Sequence, residues 1–215
     1  MSAPRATLID RSTDLMGHLG DMQVLLRVRL LGGIDEARLA RAAWLLTRAE
    51  PVLGCCFVRR GWRARWRVRE DLRPEDLVEV KAVDDGGADA ACYAAFARPL
   101  DPTREPLLRL LVARGGQGDT LALTISHHAA DGGAVKQAGY RLADLYRRLG
   151  EDATYVPPTR AGSRSLSQVA RAIGWRGRLQ VLRRGVTDAW RNVVPLRSWA
   201  FPYESGPSAP WTVTA

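Results

Sequence analysis

Residues 121 to 132 read Leu-Ala-Leu-Thr-Ile-Ser-His-His-Ala-Ala-Asp-Gly, and this stretch carries the strongest signal for both fold and chemistry. The apolar residues 121–125 predict a strand, and the small and polar residues after them predict a turn. His127 is followed four positions later by Asp131 and five positions later by Gly132. The chain has only three histidines, and two of them lie in this turn.

A histidine at the end of a strand can face a cleft, where a reacting group can meet it. A neutral imidazole is the side chain best suited to accept a proton near neutral pH. We therefore predict that His127 is a general base, which removes a proton from a hydroxyl or amine as that group attacks an acyl carbonyl. The alternative is an ordinary loop histidine whose ring bonds to nearby backbone.

The aspartate and glycine of the motif have several interpretations. Asp131 could orient the imidazole as in a catalytic triad, pair with an arginine and hold the loop, or cap a helix before Ala134. Gly132 has no Cβ, so backbone and substrate could approach each other closely there.

Outward from the motif, apolar periodicity predicts one α/β unit over residues 1–150, with a mostly antiparallel sheet that carries helices. A helix capped by Asp35 ends before Pro51, and further helices are predicted at 88–97 and 134–149. Strands are predicted at 22–31, 55–58, 62–68, 77–83, 107–113 and 120–125. The second and third strands should form a hairpin, and the last two should pair antiparallel across a loop at 114–119.

The remainder of the chain has a different character. Residues 151–163 are polar, contain Pro157-Pro158 and predict a linker. Residues 164–215 predict a basic amphipathic connector followed by an extended tail. We expect the apolar stripe of residues 164–194 to pack on another protein surface, and the alternative is contact with a membrane surface.

Composition limits the class of protein. With 215 residues and 46% hydrophobic content, the chain can build a proper core. The net charge is +9, and residues 160–215 hold nine arginines against two acidic residues, but no nucleic-acid module is visible and no such partner is expected. No signal peptide or membrane-spanning run is visible, which predicts a cytoplasmic protein. Cys55, Cys56 and Cys92 fit neither a disulfide framework nor a metal site and are expected to be buried thiols.

The order of these elements, together with the His-x-x-x-Asp-Gly pattern, resembles the acyltransferase superfamily that contains chloramphenicol acetyltransferase, the condensation domains of nonribosomal peptide synthetases, and wax ester synthases. The resemblance extends from about residue 8 to about residue 195. It implies an α+β sandwich, a chloramphenicol acetyltransferase-like half-domain with a helical C-terminal extension. In the complete enzymes two similar halves form a V, and the active histidine lies in the tunnel between them.

Condensation domains carry the pattern His-His-x-x-x-Asp-Gly, whose second histidine is catalytic. Counting back from Asp131 and Gly132, that histidine falls on His127, whereas the first one falls on Ser126, which is a departure. His128 is then one of the three variable positions. Side chains of neighbouring residues at a strand end point to opposite sides, so only one of the two histidines can face the tunnel. The resemblance also implies that Asp131 shapes the site by pairing with an arginine.

The resemblance implies a half enzyme that transfers an acyl group from a thioester to a hydroxyl or amine. The donor would be acyl-CoA or a phosphopantetheinyl thioester on a carrier protein, with no bound cofactor and no metal. Because these enzymes have a second half of similar length, we expect a complementary C-terminal half or a homo-oligomer as partner. The alternative is a non-catalytic binding module or remnant that keeps the fold and binds a carrier or another chain.

Overall fold

The computed structural model describes residues 6–18, 20–60, 64–84, 86–158 and 171–193, with side chains up to residue 187. The chain divides into two compact units, Met1–Arg164 and Ser165–Ala215. The helices are α1 (Leu8–Met16), α2 (Glu36–Ala49), α3 (Ala88–Phe96), α4 (Gly132–Glu151) and α5 (Gly174–Val193). The strands are β1 (Gln23–Arg29), β2 (Cys55–Val58), β3 (Arg65–Val68), β4 (Val78–Ala82), β5 (Leu108–Gly115) and β6 (Gly118–Ser126).

The main sheet has four strands in the order β1-β6-β5-β4. The two pairs that involve β6 are antiparallel, and β4 pairs with β5 in parallel. A parallel pair needs a long crossover connection, and here the connection contains α3. The predicted fold class, α+β with a mostly antiparallel sheet and flanking helices, is confirmed, although the parallel pairing of β4 was not foreseen.

The hairpin between β5 and β6 is tighter than the sequence indicated. The predicted loop at 114–119 was too long, because both strands continue into it and only Gly116 and Gln117 separate them. Gly118 has a φ of 117° and lies so close to β1 that a Cβ there would be 2.4 Å from the carbonyl oxygen of Leu30. Glycine is required at this position on both counts.

Alternation along the central strands divides the core between the two faces of the sheet. On one face, Leu110, Val112, Leu123 and Ile125 pack with α2 and α4. On the other face, residues of β5 and β6 pack with α3. The buried members of this second cluster are Ala91, Cys92, Leu111, Ala113 and Ala122. All three cysteines are buried thiols, as predicted.

Strands β2 and β3 form a separate two-stranded antiparallel sheet, which confirms the predicted hairpin. Phe57 and Trp66 pack edge to face in it, with ring centroids 5.0 Å apart. Helix α1 was not predicted. It begins with a capping box in which Thr7 and Asp10 bond to each other's backbone amides, and it packs beside this hairpin through the bond from Trp66 to Asp10.

The second unit contains α5, which lies within the predicted basic amphipathic segment 164–194. The side chains of Trp175, Leu179, Leu182 and Val186 are exposed on it. Residues 159–170 and 194–215 lie outside the described residues, so the end of the predicted linker, residues 159–163, and the whole tail stay predictions. In the described part of the chain, no helix is long and apolar enough to cross a membrane.

Candidate functional site

His127 is the first residue after β6, in the turn that leads to α4. Its side chain is exposed, and its backbone amide donates to the carbonyl oxygen of Met22, 2.8 Å away, just before β1. The strand and its neighbour therefore fix the backbone of this residue, while the imidazole stays accessible.

His128 has the opposite environment. It is 4% exposed, and its Nδ1 lies 3.0 Å from the hydroxyl oxygen of Ser126. The two adjacent histidines thus face different surroundings, as the alternation of side chains at a strand end requires. The sequence treated His128 as a variable position, whereas the structure places it in a buried polar cluster.

This cluster extends to α1 and to the end of β2. The Nε2 atom of His128 lies 3.6 Å from a carboxylate oxygen of Asp14. The same carboxylate accepts three contacts of 2.7–3.1 Å from the guanidinium of Arg59. Burial lowers the pKa of His128 from its ordinary value, and the negative charge of Asp14 partly opposes that shift.

The tautomer of a neutral His128 follows from its partners. A carboxylate only accepts hydrogen bonds, so we assign the proton to Nε2, which faces Asp14, and Nδ1 then accepts from the hydroxyl of Ser126. The order Ser126, His128, Asp14 has the layout of a nucleophile, base and orienting acid. Ser126 is only 1% exposed, however, so no substrate can reach its hydroxyl. The arrangement is structural.

Asp131 caps α4. Its side chain accepts from the backbone amide of Ala134 at 2.8 Å, which is the helix-cap interpretation of the sequence. Among the described residues, Asp131 forms no ion pair with an arginine and no hydrogen bond with His127. A Cβ at Gly132 would meet no atom within 4 Å, so close approach within the chain does not explain the glycine.

Two cavities reach the motif turn. One has a volume of about 570 Å³ and touches Ala129, Ala130 and Arg141. This volume lies within the range of about 300–1,000 Å³ that is usual for small-molecule sites. The other has a volume of about 750 Å³, lies between β1 and α4 and begins at Gly132. Its walls are mostly apolar, and Leu26 is among the residues that line it. In the described residues, no group of three or more histidine, cysteine or acidic side chains could hold a metal ion.

The sequence analysis missed Asp14, because it predicted no helix before β1, and it gave Arg59 no role although it predicted the hairpin that contains this residue. A signal was available, because the Thr7-to-Asp10 spacing is that of a capping box at the start of α1. No local pattern could have paired Asp14 with His128, since they are far apart in the sequence and only the fold brings them together.

No family model and no curated protein match the sequence. Solved structures do match, and they define the class by its fold. The first condensation domain of the CDA synthetase is 20% identical with a TM-score of 0.68, and the match covers 89% of this chain and 51% of that one. The starter condensation domain of the rhizomide synthetase RzmA is 15% identical with a TM-score of 0.59, covering 92% and 49%.

The SgcC5 protein from Streptomyces globisporus is 25% identical with a TM-score of 0.56, covering 82% of this chain and 40% of that one. This chain therefore spans about half the length of the solved structures that it matches. It has the fold of a condensation-like half domain, which confirms the family resemblance seen in the sequence. The more distant likeness to chloramphenicol acetyltransferase stays a prediction.

Proposed function

We propose that this chain is the first half of a condensation-type acyltransferase, in which His127 is the general base. The observation that carries the proposal is the exposed imidazole at the end of β6, in a fold shared with condensation domains. His127 would take the proton from a hydroxyl or amine as that group attacks a thioester carbonyl. The carbon–sulfur bond then breaks, and the departing thiolate receives the proton to become a free thiol.

The donor would be an acyl-CoA or a phosphopantetheinyl thioester on a carrier protein. Both cavities beside the motif turn have volumes in the range of small-molecule sites, and the one that begins at Gly132 is lined by apolar residues. Asp131 would act by holding the first turn of α4 beside His127, because its carboxylate is already engaged by the amide of Ala134.

Since the matched structures are about twice as long, we propose that activity requires a complementary half or a second copy of the chain. The assay is therefore run on the chain alone and with candidate partners. Acetyl- and octanoyl-pantetheine serve as donors, and loss of thioester is followed by chromatography.

The decisive variant is His127→Ala, with His18→Ala as the matched control, because His18 is also exposed. Loss of transfer in the first variant only is the expected result, with a fall of roughly 100-fold or more for removal of a general base. Full activity in His127→Ala, with unchanged folding, would remove this residue from the mechanism.

A second candidate is a non-catalytic module that binds a carrier or a partner chain. The departure at Ser126 favours it. For this candidate, thioesters would be neither hydrolysed nor transferred with any partner, and His127→Ala would leave binding of a phosphopantetheinylated carrier unchanged.

A further inference from the structure

His128 is a buried titratable side chain that the proposed mechanism does not use. A buried imidazole is costly unless its polar atoms have partners, so its surroundings show what the fold gains from it. The ring is enclosed by Phe57, whose ring centroid is 6.0 Å away, and by the end of α1. A Cβ on Gly17 would be 3.8 Å from Cε1 of His128, which shows how closely α1 covers the ring.

The first partner, Ser126, is the hub of the motif turn. Its backbone amide donates to the carbonyl oxygen of Leu107 at 3.0 Å, and its carbonyl oxygen accepts from the amide of Ala129 at 2.9 Å. Its hydroxyl meets both the Nδ1 and the backbone amide of His128, at 3.0 and 3.4 Å. The ring thus holds the residue on which the turn is built.

The second partner, Asp14, belongs to α1 and is itself held by Arg59 at the end of β2. The line from Ser126 through His128 and Asp14 to Arg59 therefore joins the motif turn, α1 and the β2–β3 hairpin. His127 lies between the two residues of the turn that this line anchors. Ser126 and His128 are held on the buried side, whereas the side chain of His127 between them is exposed.

We propose that His128 is a positioning residue, which anchors the 126–130 turn to α1 and thereby sets the direction of the His127 imidazole. This role rests on the proposed function of His127 as a general base. Because its serine is buried, the cluster of Ser126, His128 and Asp14 cannot act as a catalytic triad. Positioning His127 gives the cluster a different role.

The first test does not depend on activity. Amide hydrogen exchange is measured by NMR in the full chain for the wild type, His128→Leu and His128→Asn. We expect His128→Leu to speed exchange of the His127 amide by roughly tenfold or more while the Leu123 amide, in the middle of β6, keeps its rate, since local openings differ between regions. In His128→Asn, the His127 amide should exchange faster than in the wild type and more slowly than in His128→Leu, because the Asn amide can still reach the Ser126 hydroxyl.

Equal acceleration at Leu123 and His127 would show a general stabilising role and overturn the proposal. An unchanged His127 rate in a folded His128→Leu protein would do the same. If His128→Leu does not fold, Asp14→Asn and Ser126→Ala test the proposal instead, because each removes a different contact of His128. In both variants we expect faster exchange of the His127 amide and an unchanged rate at the Leu123 amide. If neither variant speeds exchange at His127, the proposal is overturned. His18→Asn is the matched control and should change nothing.

The second test uses transfer activity. A misdirected imidazole weakens proton removal without weakening substrate binding, so His128→Leu should lower kcat and leave KM nearly unchanged. His128→Asn should recover part of the loss. If His127→Ala proves fully active, the proposed function fails, while the exchange experiment still decides whether His128 anchors the turn.

Discussion

The two sides of the motif turn differ in how they are built. On the closed side, His128 is covered by α1 and the β2–β3 hairpin and joins a line of polar groups that ends at Arg59. On the open side, His127 is exposed, Asp131 caps the adjacent helix, and two cavities reach the turn. The fold therefore buries one side of the motif turn and leaves the other side exposed.

Because of this difference, we expect the closed side to contribute mainly to stability and the open side mainly to transfer or binding. Changes on the closed side should unfold or loosen the protein, because they remove buried contacts between distant segments. Changes on the open side should leave the fold nearly intact and affect transfer or binding. Four predictions test that division, in order of decreasing effect.

Trp66→Ala should have the largest effect. Trp66 is fully buried against Phe57 and donates through Nε1 to Asp10 at 3.1 Å. Its removal should lower the free energy of unfolding by about 3–5 kcal/mol, measured by urea titration followed by circular dichroism. Trp175→Ala, on the exposed surface of α5, is the matched control and should stay within about 0.5 kcal/mol. A small loss at Trp66 would mean that the closed side is not part of the stable core.

Asp14→Ala should rank second. It leaves Arg59 and His128 without their shared carboxylate, and losing the partner of polar groups in this setting costs about 1–3 kcal/mol. The measurement is again urea unfolding. Arg59→Ala tests the same contact from its other end, and a double-mutant cycle should show that the two losses are not additive. Additive losses would separate Arg59 from the cluster.

Asp131→Ala should cost about 1 kcal/mol, the usual value for loss of a helix N-cap. Asp35→Ala is a matched control, because Asp35 caps α2 with a bond of 2.9 Å to the amide of Arg38, close to the 2.8 Å bond made by Asp131. Thermal unfolding should give similar losses for both. Any loss of transfer activity should follow Asp131→Ala only, and equal loss in both variants would argue against a role for Asp131 at the site.

The smallest effect should be a pH dependence from His128. Burial lowers the pKa of this group in the folded protein, whereas the unfolded chain keeps the ordinary value of 6.5. Below that pH, His128 is protonated more in the unfolded state than in the folded state. The free energy of unfolding should therefore decrease as the pH drops from about 6.5. Asp14 and Asp10 oppose the lowered pKa and Arg59 favours it.

The measurement is urea unfolding of the wild type and of His128→Gln between pH 7.5 and pH 5, with the wild-type slope expected to be steeper. Carboxylates elsewhere contribute to both proteins alike and cancel in the difference. Parallel slopes would mean that His128 titrates alike in the folded and unfolded chains.

Much of the fold could be predicted because its signals are local. The helix capped by Asp35, the β2–β3 hairpin and the helix after the motif all follow from caps, turn residues and apolar spacing within one segment. The parallel pairing of β4 with β5 could not be predicted in this way, since it depends on how the α3 crossover packs across the sheet. Helix α1 was missed because its apolar residues are few and exposed, so only its capping box marked it.

The sequence by itself determined the strand, the turn and the helix cap around His127, because each is a property of neighbouring residues. Only the tertiary structure decided the surroundings of His128. Strand alternation separates the two histidines, but which of them is buried depends on where α1 and the hairpin pack. Burial is set by contacts between segments that are distant in the chain, and such contacts leave no short pattern in the sequence.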